Sequence, residues 1–212
     1  MRDMTEIEDR LGEIRDELAR IGRPDVRIIA VTKGFGVEAW NVARDLGLDI
    51  VGESYAQELQ AKLAEPDDRP TIHFIGRIQR NKVRKVIDDV ALWHSVARPE
   101  ILTELGKRRP GARALLQLSV ADDPTKDGIT GAEIPSMLEV AEAADVRVEG
   151  FMTIGVQGDA AASAAAFHEV DRLAEAHGVA ERSMGMSNDW RDAAAAGATL
   201  LRLGSVLFGP RP

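Results

Sequence analysis

Val26-Arg27-Ile28-Ile29-Ala30-Val31-Thr32 is the first of eight short runs in this chain that are rich in aliphatic residues. Such a run is typical of a strand that is buried on both faces, as strands are in a parallel sheet. Segments with apolar residues at helical spacing separate the runs from one another. The eight predicted strands cover residues 26–32, 49–52, 71–75, 92–96, 113–120, 147–154, 182–185 and 200–203.

Helices are predicted between these strands, which fixes the class of fold. Strands that alternate with helices form a parallel sheet with right-handed crossovers. Eight of them match a closed (β/α)8 barrel, the TIM barrel. An open doubly wound sheet is the alternative, but its G-x-G-x-x-G fingerprint is absent after the first strand. We therefore predict an α/β protein with a single (β/α)8 barrel. The predicted helices cover residues 37–46, 55–64, 80–88, 99–109, 134–144, 160–177 and 188–196.

An additional helix is predicted ahead of the first strand. Apolar residues recur at helical spacing from Ile7 to Ile21, and Gly22 and Pro24 end the pattern. No Ser/Gly linker, long charge block or low-complexity tract divides the chain. We therefore expect one domain over residues 1–212.

Composition limits the kinds of partner. The formal net charge of −8 argues against a nucleic-acid-binding surface and against an anionic membrane. The absence of cysteine excludes disulfides and thiolate metal sites. The charged N-terminus lacks the apolar run of a signal peptide, and no stretch approaches the roughly 20 apolar residues that span a bilayer. We expect a cytoplasmic protein, and a monomer because no exposed apolar stripe is evident.

The four histidines do not have the spacing of a metal site. His73 and His94 lie in predicted strands, where a buried hydrogen-bonding group is the better interpretation than a ligand. His168 and His177 lie in a predicted helix and at its end. We predict no metal ion.

Functional groups of a parallel barrel lie at the C-terminal ends of its strands, and Lys33 is the most unusual residue there. It follows the buried run that ends at Thr32, and Gly34 comes next. Partial burial favours the neutral amine, which can attack an aldehyde or ketone. Taken alone, this position also fits a lysine that is simply the first solvated residue after a strand.

Two later segments point to a bound phosphate. Ser183-Met184-Gly185-Met186-Ser187-Asn188-Asp189 covers a strand end and a helix start, with Ser187 as the expected N-cap. Free backbone N–H groups at such a start attract anions. In Arg202-Leu203-Gly204-Ser205, the missing side chain of Gly204 lets the backbone approach a phosphate. These are the seventh and eighth strand ends, where barrels of this type hold phosphate.

A phosphate there, beside an aldehyde-seeking Lys33, is the arrangement expected for pyridoxal 5′-phosphate (PLP). Strands 8 and 1 become neighbours when the barrel closes. Arg202 is then expected near the cofactor ring, where a guanidinium would donate a hydrogen bond to the pyridine nitrogen and keep that nitrogen unprotonated. Such a contact weakens the ring as an electron sink. An ion pair of Arg202 with Glu149 or Glu53 inside the barrel is the alternative.

Several motifs resemble a known family, the YggS/PROSC group of pyridoxal phosphate homeostasis proteins, whose fold is like the N-terminal barrel of bacterial alanine racemase. The resemblance covers nearly the whole chain. Its most specific motifs are the Ser183–Asp189 segment and His73-Phe74-Ile75-Gly76-Arg77-Ile78-Gln79-Arg80-Asn81-Lys82. Ala30-Val31-Thr32-Lys33, Lys126-Asp127-Gly128 and the Arg202–Ser205 segment match as well.

The resemblance implies roles for individual residues. Lys33 would form the Schiff base, Arg202 would face the pyridine nitrogen, and Ser187 and Gly204 would hold the phosphate. Met186 and Ser205 would assist through their backbone. The chain departs from the family at three positions, where the family often has other residues: Ser54, Ala97 and Ser119.

The resemblance also implies a role in PLP homeostasis and carriage, with PLP-dependent apoenzymes as possible recipients and no catalytic residue assigned. The sequence ends within a few residues of the eighth strand, so we expect no second β domain to supply a racemase acid or base. A monodomain amino-acid racemase or lyase is the alternative function. A barrel that binds another phosphate ester without a covalent bond is a weaker one.

Overall fold

The computed structural model describes residues 1–65, 69–119 and 127–210. Eight parallel strands form a closed barrel in chain order, and the last strand pairs with the first. This confirms the predicted (β/α)8 barrel. The strands are β1 Arg27–Val31, β2 Ile50–Glu53, β3 Thr71–Phe74, β4 Val90–Val96, β5 Ala112–Gln117, β6 Val146–Met152, β7 Glu181–Ser183 and β8 Leu200–Leu203.

Helices follow the strands around the outside of the barrel. None of those found in the described ranges is long and apolar enough to cross a membrane. A short 3-10 helix, Gly131–Glu133, precedes the sixth α-helix. The α-helices are α1 Met4–Arg20, α2 Glu38–Asp45, α3 Ala56–Leu63, α4 Arg80–Val83, α5 Pro99–Arg108, α6 Ile134–Ala143, α7 Ala160–Ala176, α8 Trp190–Ala195 and α9 Ser205–Phe208.

Strand residues alternate between two apolar cores, as the pleat of a strand requires. Ile28 and Ala30 of β1 belong to the large core between the sheet and the helices. Ile29, between them, joins a small cluster inside the barrel. The aliphatic run of β1 is therefore buried on both faces of the sheet. The other buried members of the inner cluster are Leu92, Leu115, Met152 and Leu200.

The predicted N-terminal helix is present as α1. Asp3 caps it, because its carboxylate accepts a hydrogen bond from the N–H of Glu6 at 2.8 Å. The helix ends before Gly22, which has a φ of 75°. Its apolar stripe packs into the large core, so the helical spacing seen in the sequence reflects burial of one face.

Two predicted element boundaries were wrong around the fourth strand. The helix predicted over residues 80–88 stops at Val83, and β4 begins at Val90 instead of Leu92. Hydrogen bonds from Lys85 to Lys82, and from Val86 to Val83, span only three residues, as in a 3-10 turn. Apolar spacing cannot distinguish such turns from an α-helix. Residue 120, at the end of the predicted fifth strand, and Lys126 of the family motif lie outside the described residues.

Candidate cofactor site at the C-terminal end of the barrel

A cavity of about 1030 Å³ opens at the C-terminal ends of β1, β6, β7 and β8. It is large enough for a cofactor, since ligand pockets commonly measure about 300–1,000 Å³. The structure brings all six candidate residues to its wall, although they come from segments far apart in sequence. These residues are Lys33, Met186, Ser187, Arg202, Gly204 and Ser205.

Lys33 lies two residues beyond β1 and is half-buried. It also lines a second cavity of about 380 Å³. The chain on both sides of it is held by α3. The Nζ of Lys62 donates to the carbonyl of Thr32 at 2.9 Å, and the N–H of Gly34 donates to Glu58 at 2.6 Å. The backbone that carries Lys33 is therefore fixed from both sides.

A buried ion pair supports this attachment. The Nζ of Lys62 lies 2.6 Å from Glu53 and 3.0 Å from Glu58, and neither Lys62 nor Glu53 is appreciably exposed. Thr32 and the indole N–H of Trp40 also donate to the same oxygen of Glu53, at 2.7 and 3.0 Å. Removal from water penalises buried charges unless they are paired and hydrogen-bonded. One oxygen of Glu53 meets both conditions, whereas its other oxygen is buried and has no hydrogen-bond partner among the described residues.

Two hydroxyls lie on the part of the cavity wall formed by the residues after β7 and β8. Ser205 donates to Ser187 at 3.0 Å, and the N–H of Val206 donates to Ser187 at 3.2 Å. Gly204 comes directly before Ser205 and packs against β1, because a side chain there would lie 3.3 Å from Val31. The predicted neighbourhood of strands 8 and 1 is thereby confirmed, and hydroxyls suited to phosphate oxygens meet at it.

The expected role of Ser187 as the N-cap of the following helix was wrong. That helix, α8, begins at Trp190, and its N-cap position is Asp189. Gly185 has a φ of 86°, and the N–H of Met186 donates to the carboxylate of Asp189 at 2.6 Å. A closed turn therefore separates the strand from the helix, and Ser187 instead accepts from the start of α9. A phosphate can use the N–H of Met186 only by displacing this carboxylate.

Arg202 is a buried cation on the cavity wall, with 5% of its surface exposed. Its guanidinium donates to the Ser183 carbonyl and hydroxyl at 2.7 and 2.8 Å, and to the Thr153 carbonyl at 2.8 Å. The alternative of an ion pair with Glu149 or Glu53 was wrong.

Those two carboxylates have other partners. Glu149 pairs with Arg113, and Glu53 pairs with Lys62. Burial lowers the pKa of Arg202 to about 10, and the charge of Asp189 opposes this shift. The guanidinium therefore remains charged at neutral pH, with no carboxylate in hydrogen-bond contact among the described residues.

The interpretation of His73 and His94 as buried hydrogen-bonding groups is confirmed. The Nε2 of His94 lies 3.0 Å from the Nδ1 of His73, and its Nδ1 lies 2.9 Å from the hydroxyl of Ser183. Burial lowers the pKa of His73 to about 3, and the nearby charges of Arg27 and Arg113 add to the effect. Burial also lowers the pKa of His94. Both rings are neutral at physiological pH.

The loop after β6, which was not predicted from the sequence, lines the same cavity from Gly155 to Asp159. Asp159 also caps α7 by accepting from the N–H of Ala162 at 2.9 Å. A side chain at Gly155 would collide with the carboxylate of Asp189 and the hydroxyl of Ser163. Two glycines and a capping aspartate at a strand end were the available signal.

The departures from the family lie at strand ends, and Ser54 faces a different space. It lines the second cavity together with Lys33 and the largely exposed Tyr55. Its hydroxyl is buried and has no hydrogen-bond partner within the described part of the chain. Ala97 follows β4, and Ser119 follows β5 with its N–H donating to Ile129. Neither residue lines the large cavity.

Comparison with known proteins assigns the family. Residues 3–212 match the model of the alanine racemase N-terminal domain. A pyridoxal phosphate homeostasis protein of Pseudomonas aeruginosa is 35% identical, over 94% of this chain and 92% of that protein. The structure of PipY from Synechococcus elongatus with PLP bound is 32% identical, with a TM-score of 0.82 over 96% of this chain and all of PipY.

Alanine racemase itself shares only the fold. The enzyme of Bacillus anthracis is 18% identical, with a TM-score of 0.74 over 99% of this chain and 57% of its own. The barrel, the cavity at its C-terminal end and the full-length similarity agree with one another. This chain belongs to the family of pyridoxal phosphate homeostasis proteins, which shares the barrel of the alanine racemase N-terminal domain.

Proposed function

We propose that this chain binds PLP as a Schiff base on Lys33 and serves intracellular PLP homeostasis and carriage. The observation that carries the proposal is that half-buried Lys33 and buried Arg202 line the same cavity. A lysine amine condenses with an aldehyde and releases water. A charged guanidinium without a carboxylate contact in the described residues suits a ligand that accepts hydrogen bonds.

The remaining candidates would position the cofactor. The hydroxyls of Ser187 and Ser205 would donate hydrogen bonds to the phosphate, and Gly204 would let the phosphate approach the backbone. Met186 would take part through its N–H after the carboxylate of Asp189 gives it up. Arg202 would donate to the pyridine nitrogen, and PLP would supply an aldehyde for the covalent link.

The proposal extends to the setting of the protein. We place it in the cytoplasm as a single-domain monomer that does not bind nucleic acid or membranes, with PLP-dependent apoenzymes as recipients. The net charge of −8 supports the exclusion of polyanionic partners. A relative named a pyridoxal phosphate homeostasis protein, similar over nearly the full length, supports the biological role.

Absorbance during a PLP titration tests the covalent link. The wild-type protein should develop the visible band of a protonated Schiff base, and Lys33→Ala should not. Lys82→Ala is the matched control, because Lys82 lines the second cavity and not the large one. A band that persists in Lys33→Ala, or that disappears in Lys82→Ala alone, would overturn the assignment.

Racemase or lyase activity is the second candidate, and the shared fold with alanine racemase favours it. Incubation of the PLP-loaded protein with D- and L-alanine in deuterium oxide separates the two functions. The carriage proposal expects no substantial deuterium incorporation at Cα. Sustained exchange that Lys33→Ala abolishes would establish an enzyme instead.

A further inference from the structure

A row of buried polar side chains crosses the barrel behind Arg202. From the cavity inward it consists of Arg202, Ser183, His94 and His73, none more than 5% exposed. The distances are 2.8 Å from Arg202 to the Ser183 hydroxyl, 2.9 Å from that hydroxyl to His94, and 3.0 Å between the histidines. Each contact is within hydrogen-bonding range.

Only one direction of hydrogen bonding satisfies this row. A guanidinium can donate but cannot accept, so the oxygen of Ser183 accepts from Arg202. The described residues offer the Ser183 hydroxyl proton no acceptor other than Nδ1 of His94. His94 then carries its proton on Nε2 and donates to Nδ1 of His73. The opposite direction would leave the buried hydroxyl proton without a partner, which is unfavourable.

The cation of Arg202 therefore determines the tautomers of His94 and His73. We propose that Ser183, His94 and His73 are positioning residues that hold the guanidinium of Arg202 in one orientation against the cavity. This rests on the proposed function in one respect, since the group that Arg202 would then face is the PLP ring. The three residues touch no part of the cavity themselves.

The Ser183 hydroxyl is a third point of attachment for a guanidinium that two carbonyls also hold. The bonds of Arg202 to the carbonyls of Ser183 and Thr153 anchor the guanidinium on β7 and at the end of β6. The Ser183 hydroxyl adds a contact that is itself fixed by a rigid, buried ring. Three hydrogen bonds thereby engage a guanidinium that has five N–H donors. An arginine held in this way presents its remaining donors in a constant direction, and that direction would determine its hydrogen bond to a ring nitrogen.

Nitrogen NMR of histidine-labelled protein without PLP tests the direction of the row. At pH 7.5, both His73 and His94 should be neutral and protonated on Nε2. A proton on Nδ1 of either ring, or a doubly protonated ring, would overturn the proposal. This measurement does not depend on whether the chain binds PLP.

The effect on the cofactor is tested with Ser183→Ala in the PLP-loaded protein. We expect the absorbance maximum to shift and the affinity for PLP to fall about five-fold, the worth of roughly one hydrogen bond. Ser95→Ala is the control, since Ser95 is also buried but donates to Ile75 outside the row. Its spectrum and affinity should match those of the wild type.

The outcomes separate the two proposals. Absence of a Schiff base in the wild-type protein defeats the proposed function. The NMR measurement then still tests the direction of hydrogen bonding in the row. A Schiff base whose spectrum and affinity are unchanged by Ser183→Ala defeats the positioning role alone. If Ser183→Ala does not fold, the wild-type tautomers still decide.

Discussion

At the scale of single residues, Ser187 joins two strand ends. Its hydroxyl accepts from Ser205 and from the N–H of Val206, which has no acceptor within the short helix α9. Ser187→Ala should therefore lower the free energy of unfolding by about 1 kcal/mol, as loss of a helix cap does. It should also weaken PLP binding. Urea denaturation and PLP titration measure the two effects.

The control for that substitution is Ser136→Ala. Ser136 is exposed, and its hydroxyl donates to Glu133 on the outer surface. Its removal should leave PLP affinity unchanged. Equal affinities for all three proteins would contradict a role for Ser187 in holding phosphate.

Arg202 offers a second test at this scale. Arg202→Ala should retain the covalent link to Lys33 but shift the absorbance of the bound cofactor, since the donor to the pyridine nitrogen is lost. The spectrum of the PLP-loaded variant checks this. An unchanged absorbance maximum would count against contact between the guanidinium and the ring.

The candidate residues could be predicted because each lies at a strand end, and a barrel brings strand ends together. The hydrogen bonds among them could not. Whether Met186 offers its N–H depends on Asp189, three residues away. The partners of Arg202 are the carbonyl and hydroxyl of Ser183 and the carbonyl of Thr153. Such contacts depend on register and on side-chain conformation, which one sequence does not reveal. The pairing of Arg202 with a carboxylate was wrong for this reason.

At the scale of elements, α3 holds the chain around Lys33 through Lys62. Lys62→Ala would leave Glu53 as a buried charge without its cation, which destabilises proteins by about 3–5 kcal/mol. We expect a loss of that size in the free energy of unfolding, measured with urea. The double substitution Glu53→Gln with Lys62→Met should recover part of it, because no unpaired charge remains.

The matched control is Lys107→Ala on α5, an exposed lysine in the last turn of its helix. Its effect should stay below about 0.5 kcal/mol, as for most surface substitutions. A loss for Lys62→Ala no greater than for this control would show that the buried pair does not stabilise the β1–α3 junction.

Helix and strand identities were predictable from periodicity, but their ends were less so. The α1 pattern is long and ends at a glycine, and its prediction is confirmed. After α4, turns whose hydrogen bonds span three residues replace the end of the predicted helix. Before α8, a turn closed by Asp189 replaces the predicted helix start. These turns are chosen by local hydrogen bonds, to which a hydrophobic pattern is insensitive.

At the scale of the whole molecule, the two neutral histidines link stability to pH. An unfolded histidine titrates near pH 6.5, whereas burial keeps the pKa of His73 at about 3 and that of His94 also low. Below about pH 6.5 the unfolded chain therefore binds protons that the folded chain does not. Stability should fall with pH by about 1.4 kcal/mol per unit for each such histidine.

Urea denaturation between pH 7.5 and pH 5 measures this dependence. Protonation of carboxylates whose pKa is lowered in the folded chain, such as Glu104 and Glu133, also reduces the free energy of unfolding as the pH falls, but at lower pH. His94→Gln should reduce the slope, and His168→Gln, at an exposed position, should leave it unchanged. A free energy of unfolding that stays constant from pH 7.5 to pH 5 would contradict burial of neutral histidines.

The barrel as a whole explains how residues from 33 to 205 in the chain come to share one cavity. The function that we propose for this cavity depends on the attachment of PLP to Lys33. Borohydride reduction of the PLP-loaded protein fixes the cofactor to its lysine, and peptide mass spectrometry then locates it. We predict a pyridoxyl group on the peptide that carries Lys33. Its location on Lys62 or Lys82, or no stoichiometric labelling, would contradict this account.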